Sequence, residues 1–384
     1  MPAYDVLVVG AGVQGLWIAR LAEVAGLKVA LVEARSIGAS ASGGLLGALM
    51  PHMPTGWSEK KQFQFEALVE LEDCVHELED QTGISTGYVR AGRIMPVRSK
   101  GFLDQLRVRE RASRERWRHE LVKFELSHLD ATAFADWINP AEAPLGLFWD
   151  PLAARIHPPS YLEALRSALG ARCDVYENWP FASHDPASGS ATRADGAVSI
   201  TAERVVLAAG YETYAIAERM TGLRLGRGIK GQAVLLSAGL PLERPIIYDD
   251  GMYIVAHSRD RCAVGSTTER EWSDPCSTDD AIEARLAAAR KVCPPLRTAK
   301  VISRWAGVRP QSAARDPIVG RLPTESPIYV ATGGFKITFG IAHAVAARLI
   351  ESITTGQAPN LPATFDPEVH IAAANGRTAG NDQE

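Results

Sequence analysis

An unbroken apolar run, Val6–Val9, opens the chain and has the character of a strand buried on both faces. Gly10-Ala11-Gly12-Val13-Gln14-Gly15 follows, and then apolar residues recur at helical spacing through Ala25. Gly26 closes that helix, Val29–Val32 is a second apolar run, and an acid, Glu33, ends it. Farther on, Ser58–Gln81 has a polar start and an i, i+3, i+4 apolar stripe, which predicts an amphipathic helix. Tyr88–Val97 reads as strand, Lys100–Lys123 as a charged helix and Tyr161–Leu169 as a third helix. Val175–Phe181 and Ala197–Thr201 read as short strands, and Arg204–Gly210 as a buried strand ending in a small-residue turn. From Gly228 the pattern shifts to β-branched and aromatic runs, Ala233–Leu236, Met252–Ala256 and Cys262–Ser266, as in a mostly antiparallel sheet. Ala281–Val292 is helical, Ile328–Thr332 returns to buried strand, and a helix spans about Gly340 to Ile353.

Each part of the first unit has a physical role. Gly10 permits a tight turn, Gly12 lets the backbone approach a pyrophosphate, and Gly15 lets helix and strand pack closely. The helix N-terminus at Val13 and Gln14 offers N–H groups and a positive dipole end to that anion. Glu33 stands where the unit places its ribose-binding acid. The small-residue loop from Arg35 to Gly44, with Ser40, Ala41 and Ser42, reads as a second backbone cradle. Ala34, Arg35 and Phe181 are further candidate dinucleotide contacts.

Composition changes this picture little. Forty-six per cent of the residues are hydrophobic and 22% charged, ordinary values for a globular chain of 384 residues. The net charge of −4 speaks against nucleic acid or an anionic membrane as partner. The run Arg107–Arg118 alternates acids with bases and reads as a solvated helix face. Five scattered cysteines without ligand spacing predict reduced thiols in a cytoplasmic protein and no metal site. The first strand begins too early for a signal peptide, and no apolar run is long enough to span a membrane.

Four further segments, read with the glycine turn, resemble the D-amino-acid-oxidase-like flavoproteins, a family that includes glycine oxidase, monomeric sarcosine oxidase and D-amino acid dehydrogenases. RVVLAAG (204–210) is similar to the strand-plus-AAG segment of that group, which implies Ala209 and Gly210 as further FAD contacts. Gly231-Gln232 is similar to the RGQ that opens its substrate-domain sheet. WAGVRPQSAARDPIVG (305–320) resembles a glycine-oxidase block, and ATGGFKITFGIAHA (331–344) a sarcosine-oxidase block. The resemblance covers nearly the whole chain in the right order.

The resemblance implies an α/β fold: a Rossmann-like FAD-binding domain with a parallel sheet, plus an interleaved substrate domain with a mostly antiparallel sheet. The expected FAD-binding parts are residues 1–85, 145–226 and 305–370; the substrate domain takes 86–144 and 227–304, and 371–384 is a frayed tail. Arg309, next to glycine and proline in a rigid bend, presents a planar fork suited to a carboxylate, which is the family's role for that arginine. Lys336 is expected to share that carboxylate. Gly307, Gly333, Gly334, Phe335, Lys336, Ile337 and Thr338 are expected along the flavin. His52 and Tyr253 are further candidates for the reacting end, with Tyr248 and His257 near them.

The implied reaction is oxidation of the C–N bond of a small amine or amino acid, by hydride transfer to flavin N5 and hydrolysis of the imine. The chain departs from the sarcosine branch in two places. Pro310–Arg315 lacks the cysteine that tethers the flavin there, which implies non-covalent FAD. Cys262–Ser266 lacks that branch's oxygen-activating lysine, so oxygen or another acceptor takes the electrons. A homo-oligomer is compatible with the sequence. A 2-hydroxy-acid dehydrogenase, the flavin domain of a tRNA-modifying enzyme, and a catalytically silent FAD-bound subunit remain alternatives at this level.

Overall fold

The computed structural model describes residues 3–120, 122–241, 243–324 and 327–381, with backbone alone for 376–381. Two large sheets organise it. In the first, the strands Cys173–Tyr176, Val29–Val32, Ala3–Val9, Ser199–Leu207 and Ile328–Thr332 lie side by side and parallel. Val9 sits opposite both Val32 and Leu207, so the glycine turns that follow these strands leave the sheet at one edge. Antiparallel strands Ser190–Arg193, Phe181–Asp185 and Ile318–Arg321 extend the same sheet. In the second sheet the order is Lys300–Ser312, Gly226–Ser237, Arg261–Gly265, Met252–Ala256, Ile246–Asp249, Arg93–Pro96, Leu147–Asp150 and Ser127–Leu129. All its pairings are antiparallel except that of Ile246–Asp249 with Arg93–Pro96.

The helices pack where their patterns direct. Val13–Val24 is buried along most of its length and lies against Thr338–Thr355, so the two ends of the chain share one layer. Glu59–Thr82 starts at Ser58, whose hydroxyl accepts from the Lys61 amide at 3.4 Å, and stops at Gly83 with φ +69°. Its stripe of Phe65, Leu68, Leu71, Val75 and Leu78 is buried against the last long helix. Leu68 lies so close to Gly340 that a Cβ there would meet it at 2.8 Å. Replacing Ser58 with alanine removes the cap and is expected to cost about 1 kcal/mol. A lower urea midpoint at unchanged slope is the check.

Several expectations need correction. The charged helix ends at Arg116 instead of Lys123, because the chain doubles back to bury Trp117 and Leu126. Ser113 Oγ accepts from the Leu126 amide at 3.0 Å, and a short hairpin, Arg118–His119 with Val122–Lys123, closes the reversal. Glu110 and Arg114 pair at 2.7 Å on the solvated face. Val175–Phe181 is two strand ends broken at Asn178, which has φ +56°. Ala197–Thr201 and the run after it form one strand, Ser199–Leu207.

Leu147–Asp150 belongs to the second sheet, although 145–226 was expected with the first. Lys300–Ser312 runs unbroken through the expected boundary at 305. The tail is helical from Pro367 to Asn381, capped by Asp366 on the Glu368 amide at 2.8 Å and anchored by buried His370 and Ala374. Among the described residues, no helix is long and apolar enough to cross a membrane.

Candidate active site

The turns at the carboxyl ends of the parallel strands open into one cavity of about 1070 Å³, which continues under the second sheet. This is where an open α/β sheet binds ligands. At one end the glycine turn is held tightly. Gly10 has φ +103°, and a Cβ there would lie 2.6 Å from the Ala209 Cα. Gly12, Val13 and Gln14 line the cavity. Gly15 does not; a Cβ there would sit 1.8 Å from the Gly10 carbonyl oxygen, so this glycine serves the packing of the turn. Glu33 accepts from the amides of Ala11 and Arg35 at 2.9 and 3.0 Å, and Ser42 Oγ accepts from the Val13 amide at 3.1 Å. Those bonds join the first turn to the loop of Ala34, Arg35, Ser40, Ala41 and Ser42, all of which line the cavity.

Phe181, Ala209 and Gly210 form the facing wall with Trp179, whose buried indole N–H has no protein partner. Arg35 stands 3.6 Å from Glu212. Gln14 reaches the opposite end of the chain, donating to the Ala342 carbonyl at 3.2 Å.

At the other end, Gly333 (φ +80°) and Phe335 (φ +47°) turn the chain from the strand Ile328–Thr332 into the helix Thr338–Thr355. Gly333, Gly334, Phe335, Lys336, Ile337 and Thr338 all line the cavity. Thr338 Oγ1 is buried there without a hydrogen-bond partner. Thr332 ties this turn to the middle of the chain by donating to the Gly210 carbonyl at 2.7 Å.

Arg309 is the most constrained polar side chain of this end. It lies within the strand Lys300–Ser312, opposite Ile229, and not in the bend expected from its glycine and proline neighbours. Its guanidinium donates to Ser266 Oγ at 3.0 Å and to the carbonyls of Thr267 and Lys230 at 2.8 and 3.2 Å. All three acceptors are neutral, and no acid lies within ion-pair distance among the described residues. Burial lowers its pKa to about 10, so it stays charged at neutral pH. Lys336 lies nearby, its Nζ 5.8 Å from the Tyr253 ring centroid and 5.7 Å from that of Phe335. Burial, then the charge of Arg309, pushes Lys336 down to about 8.

Tyr253 is driven up to about 12 by burial and by Tyr248, and stays neutral. His52 also lines the cavity, its amide bound to Gln64 Oε1 at 2.8 Å and its Nδ1 buried without a partner. Burial, then Lys60 and Lys61, lower it to about 4, so its imidazole is neutral.

Two candidates fall elsewhere. Gly307 is not a lining residue; a Cβ there would lie 2.4 Å from the Trp305 ring, and it is Trp305 that faces the cavity. His257 is not a lining residue; it is bonded to the Leu45 carbonyl at 2.7 Å and edge-on to His157. The sequence reading missed Ser266 and Thr267, which hold Arg309, and the arginines Arg93, Arg98 and Arg109 along the wall. Arg109 had a signal: it falls on the inward stripe with Phe102, Leu106 and Ser113, inside a helix read as solvated.

Comparison with known proteins agrees with this architecture. The sequence profile of the DAO family, described as FAD dependent oxidoreductase, matches residues 5–348. A glycine oxidase of Geobacillus kaustophilus is 27% identical over 345 residues, covering 87% of this chain and 88% of its own. A glycine oxidase of Pseudomonas aeruginosa is 27% identical over 378 residues, covering 94% and 98%. Among solved structures, the Geobacillus kaustophilus glycine oxidase superposes with a TM-score of 0.85 at 23% identity, covering 95% of this chain and 98% of that one. An iminodiacetate oxidase from a Chelativorans species superposes at 0.82 with 20% identity, covering 94% and 99%. These superpositions establish the shared fold.

Proposed function

The chain belongs to the FAD dependent oxidoreductase family, and from that premise we propose that it oxidises the C–N bond of a small amine or amino acid carrying a carboxylate. The residues fit FAD. Gly10 and Gly12 present bare backbone to the cavity, the cavity is long enough to join both ends of the chain, and the Trp179 N–H and Thr338 hydroxyl are buried polar groups awaiting partners. Gly10, Gly12 and Glu33 would hold the dinucleotide, and the backbone of Gly333–Thr338 the flavin ring. When bound, FAD supplies the two-electron acceptor. No cysteine lines the cavity among the described residues, which supports non-covalent attachment.

The observation that carries the reading is Arg309: a buried guanidinium with only neutral partners, facing a cavity beside a second cation. A buried charge needs an opposite charge, and here a substrate carboxylate supplies it. Arg309 would grip that carboxylate through its fork and Lys336 would add a point charge. The same cations disfavour a bound ammonium and favour the neutral amine, whose lone pair assists C–H cleavage. His52, lowered to about 4, is a weak base and Tyr253 stays protonated, so neither is suited to take a proton from the substrate, and positioning and exclusion of water account for most of the acceleration. Water then adds to the imine and the C–N bond breaks.

Product analysis tests this. Each turnover should consume one water and release one oxo acid with one equivalent of ammonia or primary amine. A holoenzyme that instead turns over 2-hydroxy acids without releasing nitrogen refutes it.

Lys336 gives the site a pH signature. A redox-inert carboxylate such as propionate should bind tightly below pH about 8, where Lys336 is protonated, and more weakly as pH rises through that value. Titration of the flavin spectrum at several pH values should show this decline in the wild type. In Lys336→Gln, binding should be weaker throughout and flat across the same window. A decline that persists in Lys336→Gln would assign the titration to another group.

A further inference from the structure

The cavity wall carries one more cation than the carboxylate site needs. Phe102, Leu106, Arg109 and Ser113 follow at steps of four, three and four along the helix Lys100–Arg116, which puts them on one face. Leu106 and Ser113 are buried, and Phe102 and Arg109 line the cavity. The other arginines of this wall are neutralised. Arg93 meets buried Asp150 at 2.5 Å. Arg98 holds both oxygens of Asp249, at 2.5 and 2.8 Å, and reaches Glu142 at 3.4 Å. The side chain of Arg109 forms no ion pair or hydrogen bond among the described residues. Its neighbours Arg93 and Lys61 are themselves cations, and Asp250, at the rim, is exposed to water.

A continuous wall joins Arg109 to the carboxylate site. Lys336 Nζ lies 5.8 Å from the Tyr253 ring centroid, Tyr253 and Tyr248 stack edge to face at 5.1 Å, and Arg93 Cζ lies 5.8 Å from the Tyr248 ring centroid. Arg109 in turn interacts with both Arg93 and Tyr248. Cations thus stand at both ends of a path lined by two tyrosines, with Met95 and Phe102 as apolar flank. An amine with a single carboxylate leaves the far cation unanswered.

We propose that the substrate is an amino dicarboxylate, or an N-carboxyalkyl amino acid, whose proximal carboxylate is held by Arg309 and Lys336 and whose distal carboxylate is held by Arg109. This rests on the amine-oxidation reading above and narrows its substrate class. A charged partner in a partly buried site discriminates against the neutral isostere by roughly 10- to 100-fold.

Two measurements on the FAD-loaded protein test it. In the first, aspartate, glutamate and N-carboxymethylglycine are compared with their monoamides, both stereoisomers where they exist. The diacid should win in kcat/KM by about 10-fold or more, and Arg109→Gln should erase that preference, the loss for each diacid exceeding that for its monoamide. In the second, malonate, succinate and glutarate are titrated against butyrate by perturbation of the flavin spectrum. At least one diacid should bind more tightly than butyrate, and Arg109→Gln should remove the advantage. Equal kcat/KM for diacid and monoamide, or a preference that survives Arg109→Gln, overturns this proposal alone if glycine or sarcosine is still oxidised. A holoenzyme that no amine reduces overturns the amine reading and this inference together.

Discussion

Alanine at Arg309 is expected to lower kcat/KM for carboxylate-bearing amines by about 2–5 kcal/mol of transition-state binding, or roughly 30- to 5000-fold. The guanidinium is buried against the Ser266 hydroxyl and two carbonyls, so its geometry is fixed before substrate arrives. Removal leaves that carboxylate to Lys336, a single point charge on a flexible stem. Arg309→Lys should recover part of the loss, because charge returns but the planar fork does not. Flavin content should be unchanged in both variants, since Arg309 is anchored to the second sheet and not to the glycine turn. Steady-state kinetics with a carboxylate amine and with an amine lacking the carboxylate provide the check. The loss should fall on the first substrate, and an equal loss on both would remove the assigned role.

The second large effect is on cofactor retention. Alanine at Gly15 places a methyl 1.8 Å from the Gly10 carbonyl oxygen, and no rotamer can relieve a clash with backbone. Overpacking of a core ordinarily costs about 1–3 kcal/mol, and a rigid neighbour puts this case at or beyond the top of that range. The helix must shift off the turn, and with it the amides of Val13 and Gln14 that line the cavity. Gly15→Ala should therefore purify with little flavin and unfold at a temperature that added FAD barely raises. Gly26→Ala is the control. Gly26 has φ +86° but nothing within 4 Å of a new Cβ, so only local strain of about 1 kcal/mol is expected. The absorbance ratio at flavin and protein bands separates the two variants, and full flavin in Gly15→Ala would contradict the packing argument.

What the sequence made legible follows from where information is local. The first βαβ unit could be read because every part of it, from Val6 to Glu33, is contiguous. The strand endings at Gly210 and Gly333 were visible for the same reason, and the structure brings all three turns to one cavity. His52, Tyr253, Arg309 and Lys336 line it together although they lie far apart in the chain. Their environment was not legible. The groups that hold Arg309 come from Ser266, Thr267 and Lys230, and strand pairing alone determines that neighbourhood.

Gly307 illustrates the converse. Its place in a family-like block suggested a flavin contact, whereas its function in the fold is to admit the Trp305 ring. Charged helices were the weakest case. The end of Lys100–Arg116 is set by burial of Trp117, and its one inward arginine hides among solvated ones. The terminal helix Pro367–Asn381 was hidden by its polar, glycine- and asparagine-containing sequence, which is anchored through Phe365, His370 and Ala374.

The central claim is that both ends of the chain enclose one FAD beside a cationic site for an amine's carboxylate. Anaerobic titration of the purified yellow protein with a matched panel tests it most directly: glycine, sarcosine, aspartate, glutamate and N-carboxymethylglycine against the corresponding 2-hydroxy acids. The account predicts that the 450 nm flavin band bleaches with one or more of the amines and with none of the hydroxy acids. Bleaching by a hydroxy acid alone, or a colourless protein that does not take up added FAD, would contradict it.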